Sequence, residues 1–389
     1  MFSICSNRKN VFMHENKSVA HITVPYLRPT ETFIYDRIMN HKKYRPFILT
    51  DEPLQSMDIF PFGGRIYTLA GKNIFSRKLD AAFKRFAGRS VYFARVLGAK
   101  RPDVVHAHYG PVGAAVVPVA KSLGIPLVVS FYGVDASALL DHPDYIDSYR
   151  KMFKEASIIS VLSDDMARTI SEAGCPLEKI RVHHLAVDTG AIHQREFTEK
   201  DDKNRLRILS VGRMVPKKGM LYLIEAFSML LNSGVDAELS IYGSGPLENE
   251  VKRRTADKGM QDHVNFRGHR SRNEVFAAMR RSDVFALFSV TAPDGDREGT
   301  PTVLIEAGAA GLPCVSTRHA GIPEIVIDDR TGFLVNEFDV AGFATRLIRF
   351  GNDIELKRAM GKAARKRIAG EFDINKVMSG IEFDYDSLA

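Results

Sequence analysis

Short continuous apolar runs alternate with amphipathic stretches of helix length on both sides of one polar segment, and few folds other than parallel α/β layers accept that pattern. Before the polar segment, residues 18–27 read as a first strand, followed by a helix that starts near Pro29 with Thr30 or Thr32 as its cap. Residues 103–108 form another strand, leading through a Gly-containing turn into a small-residue helix over 113–123. The runs 126–131 and 156–162 are apolar throughout, as strands buried on both faces must be. Residues 188–207 then turn polar and charged, the composition of a linker. Alternation resumes with a strand over 206–211 and a helix over 218–232, in which Leu221, Ile224, Phe227 and Leu231 recur at helical spacing. Strands over 237–242, 264–266 and 283–288 complete a second set. The pattern predicts two doubly wound sheets.

The 389 residues exceed what one core usually serves, which agrees with two domains. No run approaches the ~18 apolar residues that a membrane span needs. The polar stretch 1–17 has no apolar centre, so no secretory signal is expected, and three scattered cysteines (Cys5, Cys175, Cys314) fit neither a disulfide framework nor a zinc site. A cytoplasmic location is the expectation. A net charge of +7 favours contact with phosphates. Nucleic acid is not an expected partner, since zinc-finger spacing, aromatic RNA-binding signatures and Gly-rich arginine tails are all missing.

Chemistry concentrates in two segments. In Pro293-Asp-Gly-Asp-Arg-Glu298-Gly299-Thr300-Pro301, a loop carries one carboxylate, and the helix that it opens carries a second, Glu306, eight positions on. Amides of Gly299 and Thr300 at a helix N-terminus would favour an anion, while the two glutamates accept hydrogen bonds from hydroxyls. Taken singly, either glutamate could be an ordinary helix-surface charge. In Gly212-Arg213-Met-Val-Pro-Lys217-Lys218-Gly219, cations stand just beyond the carboxyl end of a strand, where ligands of open α/β sheets bind. A solvated βα loop is the plainer account of that segment by itself.

Together with Pro313 and Gly321-Ile-Pro-Glu324, these segments resemble the E-x7-E and G-R-x-x-x-K-G signatures of retaining glycosyltransferases of family 4, the group 1 glycosyltransferases of bacterial polysaccharide and lipopolysaccharide synthesis. The resemblance implies a GT-B fold, two Rossmann-like doubly wound domains facing a central cleft. It places an acceptor-binding domain at 1–190 and a donor-binding domain at 205–370, with a terminal helix over 371–389 crossing back. It also implies roles. Arg213 and Lys218 would hold the diphosphate of a nucleotide sugar, Glu298 the donor sugar and Glu306 the ribose, with Gly212, Gly299, Thr300 and Pro301 beside them. The turn Gly243-Ser-Gly245-Pro246 and Arg270 would lie near the nucleotide. It lacks the third glycine and the downstream acid of a dinucleotide site. No cofactor and no essential metal are expected, and Asp294-Gly-Asp296 reads as a turn.

In the first half, His106-Ala-His108-Tyr-Gly and Phe131-Tyr132-Gly133-Val-Asp135 are similar to two family motifs that line the cleft, although relatives often carry histidine where Tyr132 stands. His108 and Asp135 are candidates to face the donor, and Thr30-Glu31-Thr32 to meet the acceptor; a strand-end histidine is as often a packed core residue. A further feature is basic. A helix over 77–97, beginning at Arg77, would place Leu79, Phe83, Phe86, Phe93 and Leu97 in one stripe, with eight Lys or Arg and one Asp between positions 77 and 101. It is either a surface helix packed on the core or a face for anionic membrane, which would suit a lipid-linked acceptor. The expected activity is sugar transfer from a nucleoside diphosphate sugar to a saccharide or lipid-linked acceptor. A GT-B epimerase or phosphorylase, and a noncatalytic nucleotide-sugar-binding partner, are the alternatives.

Overall fold

The computed structural model describes residues 17–28, 31–54, 56–195 and 205–388. Residue contacts divide the chain into two units, one made of Met1–Ser130, Asp147–Ser160 and Met378–Ala389, the other of Phe131–Ile146 and Val161–Val377.

The first sheet contains β1 (Ser18–Ile22), β2 (Arg45–Thr50), β3 (Ile66–Thr68), β4 (Val104–His108), β5 (Leu127–Ser130), β6 (Ile158–Val161) and β7 (Ile180–Val182), in the order β3-β2-β1-β4-β5-β6-β7. Pairings from β3 to β6 are parallel. Strands β4 and β5 are buried along their whole length, which explains why their sequences do not alternate. Strand order reverses between β1 and β4, where His21 pairs in register with His106. The terminal residues of helix Ile374–Asp386 belong to this unit. Asp386 takes Lys17 at 3.0 Å, Lys43 at 2.8 Å and the Tyr44 hydroxyl at 3.0 Å. Burial would raise its carboxyl, yet these donors hold it down to about 2.

The second sheet contains β8 (Leu206–Val211), β9 (Ala237–Tyr242), β10 (Val264–Gly268), β11 (Val284–Leu287), β12 (Cys314–Thr317) and β13 (Gly332–Val335), ordered β10-β9-β8-β11-β12-β13 and parallel throughout. Helix Met220–Asn232 lays Leu223, Ile224, Phe227 and Leu230 into its core. The order reverses between β8 and β11, so the loops after those two strands diverge and leave a crevice at their carboxyl ends.

Several local expectations are corrected. The first strand stops at Ile22, and the next helix spans Thr32–Met39 with Glu31 as its N-cap and no side-chain capping bond; Thr32 is already helical, and Thr30 lies outside the described residues. The single basic helix over 77–97 is two helices, Ile74–Ala87 and Val91–Lys100. Gly88 takes a left-handed φ of 62° that ends the first, and the Ser90 hydroxyl accepts the Phe93 amide to start the second. The proposed stripe is thereby cut: Phe93 and Leu97 are buried, whereas Leu79, Phe83 and Phe86 are exposed. The start of the polar segment is also not loose. Arg195 is buried, and its guanidinium donates to Asp283 at 2.7 Å and to the Arg280 carbonyl at 2.8 Å. Residues 196–204 lie outside the described part.

Candidate active site

In the second unit the chain leaves β8 at Gly212 and makes a short turn, Pro216–Lys218, before Gly219. Gly219 has a φ of 57°, and a Cβ there would stand 1.9 Å from the Phe288 carbonyl oxygen, so only glycine lets this loop close against the end of β11. The Val290 amide donates to the Lys217 carbonyl at 3.0 Å, completing the join. Adjacent lysines then diverge. Lys217 Nζ meets Asp296 Oδ1 at 2.9 Å and donates to the Arg297 carbonyl at 3.1 Å, while Lys218 Nζ lies 2.8 Å from Glu298 Oε1. Burial pushes the Glu298 carboxyl up, but Lys218 and Lys217 outweigh it and hold the group below its ordinary value. The Lys218 contact is off the angle of a good hydrogen bond, so Glu298 Oε1 keeps no aligned donor although it is buried.

The glycine turn joins the same place. A Cβ on Gly243 would lie 2.0 Å from the Gly212 carbonyl oxygen, and one on Gly245 would lie 2.6 to 2.9 Å from the Met214 backbone. Arg213 is exposed at this rim, with no side-chain bond among the described residues. Gly299 is equally confined, since a Cβ would stand 2.2 Å from the Tyr132 carbonyl oxygen. Asp135 lies under that contact and accepts the amides of Tyr132 at 2.9 Å and Gly133 at 3.0 Å, so it holds a turn. Thr300 is buried, and its hydroxyl donates to the Leu162 carbonyl at 3.3 Å. The helix behind them is Thr302–Ala309 with Pro301 as N-cap. Its first-turn amides therefore belong to Thr302 and Val303, and the expectation that Gly299 and Thr300 form the helix N-terminus is corrected. Glu298 further lines a solvent-open recess with Gly133, Ser137, Ser163, Asp165 and Arg297, where Arg297 Nη2 meets Asp165 Oδ2 at 3.1 Å.

Glu306 rides on that helix, nearly buried, with Arg272 Nε 3.2 Å from its Oε1. Arg270, the residue expected near the nucleotide, is exposed, with its Nε 3.9 Å from Glu274 Oε1. Asp294 accepts the Asp296 amide at 3.1 Å, and Gly295 takes a φ of 78° between them, so the pair forms a turn whose second carboxylate meets Lys217.

The first unit carries His108 and Glu31. Glu31 accepts the Arg28 amide at 2.8 Å and the Tyr109 hydroxyl at 2.9 Å. His108 is wholly buried in a group of four histidines: its Nε2 is 2.9 Å from His21 Nδ1, His21 Nε2 is 2.9 Å from His41 Nε2, and His41 Nδ1 is 3.0 Å from Glu382 Oε1. The carboxylate only accepts, which assigns each proton along the chain: His41 donates to Glu382, His21 to His41 and His108 to His21. His106 adds bonds to Ser130 at 2.7 Å and to Tyr385. Ligand atoms of His21, His106 and His108 lie within 4.8 Å of one another. Both ring nitrogens of His21 and of His106 already have hydrogen-bond partners, in His108, His41, Ser130 and Tyr385. Burial first, then the neighbouring charges, drives His21, His106 and His108 well below the usual histidine value, so the stack is neutral.

Two residues that sequence reasoning missed complete the site. His319 Nε2 accepts the Glu298 amide at 3.1 Å, and its Nδ1 is 2.7 Å from Glu337 Oε1. A histidine just after β12 and a glutamate just after β13 carry no local signal. Only their position at the carboxyl edge of neighbouring strands could have drawn attention to them.

Residues 192–367 match the family described as glycosyl transferases group 1, and residues 73–186 match the glycosyl transferase 4-like domain. The putative colanic acid biosynthesis glycosyltransferase WcaL of Escherichia coli (strain K12) is 36% identical over 290 residues, covering 72% of this chain and 70% of that protein. This chain belongs to the group 1 glycosyltransferases. The amylovoran biosynthesis glycosyltransferase AmsK of Erwinia amylovora is 32% identical over 293 residues, with coverage of 72% and 70%. Among solved structures, Anabaena Alr3699/HepE in complex with UDP aligns with a TM-score of 0.79 at 16% identity, over 95% of this chain and 100% of that one. The protein is thus a glycosyltransferase enzyme with a GT-B fold, as its motifs imply.

Proposed function

We propose that this glycosyltransferase is a retaining enzyme that moves a sugar from a nucleoside diphosphate sugar to an acceptor hydroxyl during assembly of a bacterial exopolysaccharide or lipopolysaccharide. The observation that carries the reading is the Lys218–Glu298 pair at the strand-order reversal, a buried carboxylate held ionised beside a cation. Lys218 and the exposed Arg213 suit the diphosphate, and Glu298 suits sugar hydroxyls. Glu306 suits the ribose. UDP bound by the HepE relative and the polysaccharide pathways named for WcaL and AmsK support the donor class and the product class.

In the reaction, the bond from the anomeric carbon to the diphosphate oxygen breaks while the acceptor oxygen bonds to that carbon from the same face. The acceptor's proton passes to the departing phosphate oxygen, and cations stabilise the charge that develops there. No essential divalent ion is proposed, because Lys217 engages Asp296 and Asp294 caps its own turn. The epimerase, phosphorylase and noncatalytic alternatives are not favoured by these relatives. A panel of nucleotide sugars incubated with an acceptor extract, with and without EDTA, tests the reading. Donor-dependent product with retained anomeric configuration and unchanged yield in chelator is expected; an inverted product or a strict metal requirement would overturn it.

The acceptor is proposed to be membrane-linked and reached from the cytoplasmic face. Helix Ile74–Ala87 leaves Ile74, Phe75 and Phe86 69%, 73% and 85% exposed, beside exposed Arg77, Lys78, Arg85 and Arg89. Apolar rings flanked by cations match an anionic lipid surface. No helix among the described residues is long and apolar enough to cross a membrane.

A further inference from the structure

We infer that His319, held by Glu337, is the positioning residue that sets the place of Glu298. The inference rests on the reading of Glu298 as the group that meets the donor sugar.

His319 is fully buried, and both ring nitrogens are committed. The Glu298 amide can only donate, so the Nε2 that receives it at 3.1 Å carries no proton. The ring proton therefore sits on Nδ1 and is donated to Glu337 Oε1 at 2.7 Å. Glu337 remains an acceptor. Burial pushes its carboxyl up, but the Thr291 amide and His319 more than offset this and hold it below the ordinary value.

The same carboxylate reaches the other end of the loop. Glu337 Oε2 accepts the Thr291 amide at 2.7 Å. One side chain after β13 thus ties down the loop that follows β11 at its start, through Thr291, and at its end, through His319 and the Glu298 amide. Between these ties, Lys217 grips Asp296 and the Arg297 carbonyl. The backbone beside His319 is constrained too: Ala320 takes a left-handed φ of 45°, which a non-glycine residue adopts only where its surroundings impose it. A Cβ on the next residue, Gly321, would lie 2.8 Å from the Ser163 Cβ. His319 is therefore in a place where neither its ring nor its backbone has room to shift, and it hands that definition to Glu298.

Two substitutions separate the ring's two bonds. In His319→Asn the amide reaches only the position of Nδ1, keeping Glu337 and losing the Glu298 amide. In His319→Gln the carbonyl reaches the position of Nε2 and can still accept that amide. Hydrogen exchange of the 291–299 segment, affinity for UDP and GDP by calorimetry, and transfer rate with the donor selected by a nucleotide-sugar panel are measured on wild type and both variants. The Asn variant should lose protection at the Glu298 amide and about 100-fold in transfer, since an ångström of misplacement costs that much, with nucleoside diphosphate affinity unchanged. The Gln variant should keep slow exchange and most of the rate. Equal exchange and equal rates in the two variants would overturn the assignment, and so would a loss of rate that only follows a loss of thermal stability in both. Wild type that binds neither UDP nor GDP would instead sink the donor-site reading, while the exchange measurement would still decide the His319–Glu298 bond.

Discussion

Lys218 Nζ stands 2.8 Å from Glu298 Oε1, with the two side chains 12% and 9% exposed, although eighty positions separate them in the chain. The pair spans the reversal of strand order, one partner from the loop after β8 and the other from the loop after β11. It sets a cation, a group suited to phosphate, beside a carboxylate, a group suited to hydroxyls.

Glu298→Gln should lower the transfer rate by ~100-fold or more, because a nearly buried, ionised acceptor is replaced by a neutral one. Steady-state kinetics beside a thermal melt checks this. A variant with near-normal rate and normal melting would remove Glu298 from the chemistry.

Arg213→Ala and Lys218→Ala should each weaken nucleoside diphosphate binding by ~1.5–3 kcal/mol, the range for a hydrogen bond to a charged group. Calorimetry reads the difference directly. Unchanged affinity in both would leave this loop a solvated connection.

Stability should fall as pH drops below about 6.5, the ordinary histidine value. His21, His41, His106 and His108 are all lowered, by burial before any other cause, with Glu382 offsetting part of the shift at His41. The facing charges are Arg37, which opposes a second cation, and Glu382, which favours one. A base whose folded value is lowered stays neutral while the unfolded chain takes up a proton, so its stabilising contribution is complete above the unfolded value and is lost on acidification. Each such histidine steepens the loss by up to about 1.4 kcal/mol per pH unit. Denaturant midpoints at pH 7.5, 6 and 5 should decline in order; a flat series would mean the stack can hold a proton.

Binding to anionic vesicles should follow the exposed face of helix Ile74–Ala87 and weaken with salt, since screening acts over ~10 Å at 0.1 M. Lys84 is not one of the available cations, for it is tied to Asp51 and lies 3.3 Å from Asp80. Phe75→Asp with Phe86→Asp, or Arg77, Lys78, Arg85 and Arg89 exchanged for Glu, should release the protein in a co-sedimentation assay and leave nucleotide affinity intact. Wild type that stays in the supernatant at low salt would end the membrane assignment.

The alternation of apolar runs was enough to predict two parallel sheets, and strands Leu206–Val211 and Ala237–Tyr242 lie where the pattern puts them. Burial on both faces of a parallel sheet leaves a mark in consecutive residues, so it can be read locally. The Glu298 and Glu306 segment and the Lys217-Lys218 segment were legible for a related reason, since each packs its chemistry into a few adjacent positions. Tertiary structure alone decided the rest. It broke the helix expected over 77–97 at Gly88, sent Lys217 to Asp296 and Lys218 to Glu298, paired Arg272 with Glu306, and brought His319 and Glu337 to the Glu298 loop. Those partners come from different strand ends, and their meeting depends on how the loops at the carboxyl edge of the sheet close on one another, a distance that no local period or spacing encodes.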